Sequence, residues 1–118
     1  MPYYREEFAA ESITAYFSVD LVQIRSYRLG SAVEDLLIAI ALYKVQAFLS
    51  RGLRLRTACD LEMLGVTVQK PIDYKLPTLE ELTKALPGMV LAAKGAFADP
   101  AVTVVEYKVD KKKGAKDV

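Results

Sequence analysis

In the stretch LRLRTACDLE at residues 53–62, mostly apolar side chains alternate with mostly charged ones, which predicts a β-strand. One face would carry Leu53, Leu55, Thr57, Cys59 and Leu61. The other face would carry Arg54, Arg56, Ala58, Asp60 and Glu62. A turn signal at Gly65 is followed by a second, short strand over residues 66–70, which ends at Pro71. The alternative is that residues 54–70 form one hairpin arm that serves a neighbouring sheet.

A long helix is expected before this stretch, over residues 32–51. Ser31 and Glu34 have the spacing of a capping box, in which each side chain bonds the backbone amide of the other residue. Gly52 follows as the residue that stops the helix, because glycine adopts the left-handed conformation of a helix C-terminus at low cost.

The segment SITAYFSVDLVQIRSY at residues 12–27 predicts the first strand. Its core-facing side chains recur at every second position: Ile13, Ala15, Phe17, Val19 and Leu21. The alternation becomes irregular after Val22, and a bulge or the end of the strand is expected near Gln23.

A second capping box, formed by Thr78 and Glu81, begins another helix. We expect Pro87 to break or kink it, because proline removes a backbone hydrogen bond, with a further helical piece over residues 89–94. The sequence AVTVVEYKV at residues 101–109 then predicts the last strand.

The predicted order is β-α-β-β-α-β, the α+β ferredoxin-like fold, in which two helices cover one face of a four-stranded antiparallel sheet. We expect an N-terminal arm at residues 1–11, a single ferredoxin-like domain at 12–110 and a flexible basic tail at 111–118.

Composition limits the function classes. The chain has 118 residues, a net charge of +1, one cysteine and no histidine. The lack of histidine removes the commonest general base and the imidazole metal ligand, so we expect no enzyme activity, metal or cofactor. Neither a signal peptide nor a run of apolar residues long enough to span a bilayer is evident, which predicts a cytoplasmic protein without a membrane role.

The first half of the long helix has no polar face over residues 36–42. A helix that is apolar all round is buried on both sides, whereas one sheet covers a single side. Leu36, Leu37 and Ile40 are therefore predicted to contact a partner chain or a missing part of the same protein. The alternative is a well-buried, alanine-rich helix within one domain.

The sheet face opposite the helices would show Tyr16, Arg54 and Arg56, with Tyr107 on either this face or the core face. Arginines bind phosphate through charge-assisted hydrogen bonds, and a tyrosine stacks on a base, so these residues are candidates for RNA binding. The alternative is an ordinary solvated strand face.

Two phrases, YFSVDLVQIRSYRLG at residues 16–30 and FLSRGLRLRTACDLE at 48–62, support a more specific reading. They resemble the C-terminal part of the backbone subunit of type I-G (formerly I-U) CRISPR surveillance complexes, in the RAMP superfamily. The resemblance implies a ferredoxin-like core and a non-catalytic subunit of a ribonucleoprotein complex for antiviral defence. Such subunits hold CRISPR RNA, contact other subunits in homo- or hetero-oligomers, and leave recognition of target DNA to base pairing.

Within these phrases, Arg54 and Arg56 are the first candidates for contact with the RNA backbone, and Arg25 and Arg28 are the second. A full backbone subunit is much longer and has a thumb-like insertion. The chain is therefore a fragment, an internally translated product or a distinct family with the same fold. The alternative function is a ferredoxin-like oligomerisation or regulatory module with no nucleic-acid role.

Overall fold

The computed structural model describes residues 10–56 and 59–109, and for Leu55 and Arg56 it describes the backbone alone. The elements in chain order are three α-helices, two strands and one short 3₁₀-helix. They are α1 (Leu21–Ser26), α2 (Ser31–Ser50), β1 (Leu53–Arg56), β2 (Cys59–Leu61), α3 (Leu79–Ala92) and the 3₁₀-helix (Lys94–Ala96).

Helix α2 begins one residue before its predicted start. Gly30 is the N-cap with a φ of 93°, and no side chain makes a capping hydrogen bond there, so the predicted Ser31–Glu34 capping box is wrong. Ser31 lies already inside the helix, and glycine supplies the left-handed entry that other residues adopt only at a cost. The predicted stop is confirmed, because α2 ends at Ser50 and Gly52 has a φ of 77°.

Helix α3 has the predicted capping box. The Thr78 side chain accepts from the Glu81 amide at 3.2 Å, and the Glu81 carboxylate accepts from the Thr78 amide at 3.1 Å. The predicted break at Pro87 is wrong, since the helix continues to Ala92. Pro87 and Thr83 are both exposed, so water can reach the Thr83 carbonyl that a proline leaves without an amide donor.

The packing of α2 against α3 forms the core of the described chain. One stripe of α3, continued by its C-cap, is buried or half-buried at helical spacing: Leu79, Leu82, Leu86, Met89 and Ala93. Leu36 and Ala39 are the buried residues of α2. The Gln46 side chain donates to the Pro77 carbonyl at 2.8 Å, which ties the segment before α3 to α2.

The stretch at residues 53–62 forms a hairpin instead of one continuous strand. β1 and β2 pair antiparallel, with Leu53 opposite Leu61 and Arg54 opposite Asp60. The register then shifts, and Arg56 lies opposite Cys59. The two strands therefore pair with each other, and the alternative interpretation, in which residues 54–70 form one hairpin arm that serves a neighbouring sheet, is wrong as well.

The predicted ferredoxin-like fold is wrong for the described residues, which contain two antiparallel strands and three α-helices instead of a four-stranded sheet. Three predicted strands are absent there, at residues 12–27, 66–70 and 101–109. Part of the first is helical because the Asp20 carboxylate accepts from the Gln23 amide at 2.9 Å and caps α1. A local hydrogen bond of this kind competes with strand pairing, which needs a distant partner.

The overall shape is extended. The radius of gyration is 22.7 Å, against about 13 Å for a compact domain of a hundred residues. In the described part of the chain, none of the helices has both the length and the hydrophobicity of a bilayer-spanning segment. Of the predicted arm at residues 1–11, only Ala10 and Glu11 are described, and the predicted tail at 111–118 lies outside the described residues.

Candidate nucleic-acid interface

The β1–β2 hairpin separates its side chains into two faces. Leu53 and Leu61 lie opposite each other and are both half-buried. Arg54 and Asp60 form the next cross-strand pair, and both are exposed. The leucine pair thus faces the protein, while the arginine and the aspartate face solvent, as the alternation of the sequence indicates.

The guanidinium of Arg54 is available for a ligand as far as the described residues are concerned. The ion pair found among them joins Lys84 to Glu80 at 2.9 Å, and no described carboxylate lies within 4.0 Å of Arg54. An exposed guanidinium offers five N–H donors in a planar fork, which matches the geometry of a phosphate group.

Arg56 is placed only through its backbone. It lies opposite Cys59, and an irregularity in the ladder separates it from the Arg54–Asp60 pair. The prediction that Arg54 and Arg56 share one face assumed strict alternation along a continuous strand. Because the register shifts between them, the hairpin alone does not place both arginines on the Asp60 side. The side chain of Arg56 lies outside the described part of the chain.

Arg25 and Arg28 lie at the end of α1 and not beyond a strand. Arg25 belongs to the last turn of the helix, and its carbonyl accepts from the Arg28 amide at 3.2 Å. Arg28 has a φ of 52°, a left-handed conformation that is uncommon for residues other than glycine. Both arginines are exposed. Arg25 therefore lies within α1, whereas Arg28 lies on the connection between α1 and α2.

Tyr16 lies in residues 10–20, which contain no helix or strand, and its side chain is 78% exposed. The predicted face of one tyrosine and several arginines required a single sheet. The predicted residues instead lie on three separate parts of the chain: Tyr16 before α1, Arg25 and Arg28 at or just after the end of α1, and Arg54 in β1. The two-stranded sheet contains Arg54 but neither Tyr16 nor the arginines near α1. The structure therefore does not assemble the predicted RNA-binding residues on one sheet surface.

The three predicted partner-contact residues differ in exposure. Leu36 is buried inside the chain, with 4% of its surface exposed. Leu37 and Ile40 are half-buried on the same helix. Leu36 thus belongs to the intramolecular core, whereas part of the Leu37 and Ile40 side chains remains open to solvent.

A shallow groove lies between the end of α2 and the hairpin. Its lining residues are Leu49, Ser50, Gly52, Asp60, Leu61, Glu62 and Met63. The two carboxylates, together with the negative end of the α2 dipole, disfavour a phosphate in this groove. The described residues hold no group of three or more potential metal ligands.

Sequence reasoning missed a highly exposed apolar segment among the described residues. At residues 101–109, the large apolar side chains are exposed: Val102, Val104, Val105, Tyr107 and Val109. Tyr107, which the sequence placed on either sheet face, is 87% exposed. The alternation of this segment was recognised, but alternation identifies a strand without identifying the chain to which it pairs.

No protein-family model matches the chain, and no curated protein matches it significantly. A functional interpretation therefore depends on the two phrases within residues 16–62 and on the surfaces described above.

Proposed function

We propose that this chain is a non-catalytic RNA-binding and assembly subunit, or part of one, of a type I CRISPR effector complex. In this role it holds CRISPR RNA and contacts neighbouring subunits, while target DNA is engaged indirectly through base pairing. The proposal starts from the resemblance over residues 16–62, in which the phrase GLRLRTACDL at residues 52–61 is the more specific part.

The observation that carries the proposal is the position of Arg54. It lies on the solvent face of the hairpin that this phrase forms, with no described carboxylate within 4.0 Å of its guanidinium. An arginine in this setting binds a phosphate without reading the base, which is what holding a guide RNA of variable sequence requires. With a net charge of +1, attraction of RNA depends on such local groups.

The assembly part of the proposal is supported by the exposed apolar surface. In the described chain, four hydrophobic residues are buried, while large apolar side chains are exposed on most of its segments. An exposed apolar surface of this extent marks a contact with another macromolecule. The radius of gyration of 22.7 Å agrees with a chain that relies on partners to cover its surface.

A second candidate is an oligomerisation or regulatory module without a nucleic-acid role. The same exposed apolar side chains favour it, because their burial against a protein partner requires no RNA. The Asp60 carboxylate opposite Arg54 also weakens the positive field at the hairpin. The two candidates differ in one measurable property, the retention of RNA.

The test is to purify the tagged chain from its native host at moderate salt and to sequence the RNA that co-elutes. We expect CRISPR RNA together with longer subunits, and we expect the RNA to dissociate as salt rises because phosphate contacts release counterions. The variant R54E/R56E should lose the RNA. The variant K70E/K75E has the same change of net charge at two exposed loop lysines and should retain it.

Two results would decide against the proposal. If the chain is recovered as a monomer or homo-oligomer free of RNA, the second candidate function, a module without a nucleic-acid role, would be the one that remains. Equal RNA loss in both charge-reversed variants, with helical circular dichroism unchanged, would show that the hairpin arginines are not a site and that the retention is nonspecific.

A further inference from the structure

Two segments of the described chain resemble strands in sequence but pair with nothing that the structure describes. Residues 12–20, SITAYFSVD, and residues 101–109, AVTVVEYKV, are equally long and contain no helix or strand. Apart from the Asp20 carbonyl, which accepts from the Ile24 amide at the start of α1, no backbone hydrogen bond joins either segment to another described residue. As far as the described residues are concerned, each segment therefore presents a row of unpaired amide and carbonyl groups, which is a template for strand addition.

The apolar faces of the two segments can be placed opposite each other in an antiparallel register. When Phe17 is placed opposite Val105, every apolar side chain of one face meets an apolar or small partner. The pairs are Ile13 with Val109, Ala15 with Tyr107, Phe17 with Val105 and Val19 with Thr103. The opposite face then carries Tyr16 beside Glu106 and Thr14 beside Lys108, and it also places Val104 beside Ser18 and Val102 beside Asp20. A shift by one residue would instead place Lys108 and Glu106 on the apolar side.

The exposure of these side chains fits this pairing. Ile13 is 57% exposed, Phe17 51%, Val105 84% and Val109 70%, although all four belong to the apolar faces. β-Branched and aromatic residues, which are favoured in strands, make up most of residues 101–109. A single copy leaves both faces uncovered.

We propose that residues 101–109 of one copy of this chain pair, as an antiparallel β-strand, with residues 12–20 of a second copy. In a two-fold dimer the exchange is reciprocal and forms two identical ribbons. A single two-stranded ribbon is marginally stable in water, but two ribbons can bury their apolar faces against each other. This pairing needs no RNA and does not rest on the function proposed above.

The first test is the molar mass of the nuclease-treated, full 118-residue chain by light scattering at high salt, where retained RNA dissociates. We expect a dimer. Val105→Asp should convert it to a monomer, because the charge would lie on the apolar face. Val104→Asp, at a neighbouring valine of comparable exposure (78%), changes the opposite face and should leave the dimer intact. A monomeric wild-type chain, or equal effects of both variants, would overturn the proposal.

The second test fixes the register and shows whether pairing occurs between copies. In a Cys59→Ala background, a chain with Ala15→Cys is mixed with a differently tagged chain with Tyr107→Cys and oxidised. We expect a disulfide-linked heterodimer, since paired residues on antiparallel strands lie within disulfide range. Thr103→Cys in place of Tyr107→Cys should not cross-link.

Pairing within one copy would give a different result. A chain that carries both Ala15→Cys and Tyr107→Cys would then oxidise to a monomer that migrates faster on a non-reducing gel. That result, or equal cross-linking by the Thr103→Cys chain, would contradict the exchange between copies.

Discussion

Arg54 of β1 lies directly opposite Asp60 of β2, on the exposed face of the hairpin. The pair places the best candidate for phosphate contact beside a carboxylate that repels phosphate. No described carboxylate, Asp60 included, lies within 4.0 Å of the guanidinium, so the arginine remains free to turn toward another anion. The carboxylate would therefore weaken phosphate binding at this site without blocking it.

Removal of the Asp60 charge should strengthen RNA binding. Because exposed charge pairs are worth about 0.2–1 kcal/mol, we expect Asp60→Asn to raise the affinity for a single-stranded RNA up to about fivefold at low salt. Arg54→Gln should lower the affinity and reduce the slope of log K against log salt by about one. Fluorescence anisotropy at several salt concentrations measures both changes. Asp73→Asn, which removes the same charge in an exposed loop, is the control, and an equal gain there would show a general charge effect.

The capping box of α3 should contribute measurably to stability. Thr78→Ala removes the acceptor of the Glu81 amide, and we expect a loss of about 1 kcal/mol in the free energy of unfolding, measured with urea. Thr83→Ala is the matched control, because the Thr83 hydroxyl donates to the Leu79 carbonyl inside the helix, and alanine is the better helix former. If both variants lose the same stability, the cap is not the cause.

The contact between α2 and α3 should depend on Leu82, which is 5% exposed. Leu82→Ala leaves a cavity in the small core and should cost about 2–5 kcal/mol, enough to abolish cooperative unfolding in a chain with so little buried surface. Leu91→Ala makes the same change on the same helix at a side chain that is 71% exposed, and its effect should remain within about 0.5 kcal/mol. Similar losses in the two variants would show that α3 does not pack through the Leu82 stripe.

Leu37 and Ile40 should contribute more to assembly than to RNA binding. The variant L37D/I40D places two charges on the half-buried face of α2, and we expect reduced recovery of partner subunits from the native host. RNA affinity of the isolated chain should change less than about twofold, since no predicted phosphate contact lies on this helix. Lys44→Asp changes the net charge equally at an exposed position of α2 and should leave assembly intact. Loss of RNA affinity with preserved helicity would instead place α2 in the RNA surface.

The candidate site was predictable from the sequence only in part. The exposure of Arg54 and its position opposite the Leu53 face follow from alternation, which local geometry enforces. The predicted sheet face shared by Tyr16 and Arg54 is not formed among the described residues, because it required pairing between segments that are distant in sequence. The register shift before Arg56 also left no trace in the residue pattern.

The sequence by itself determined the features that depend on neighbours a few residues apart. The end of α2 just before Gly52 and the Thr78–Glu81 capping box result from hydrogen bonds and dihedral preferences within one helical turn. Only the tertiary structure decided which segments pair as strands. A strand is stabilised by a partner whose choice depends on the closure of long loops and on burial, and neither is encoded in the alternation of a single segment. For this reason residues 53–62 form a hairpin, while residues 12–20 and 101–109 pair with no other described residue.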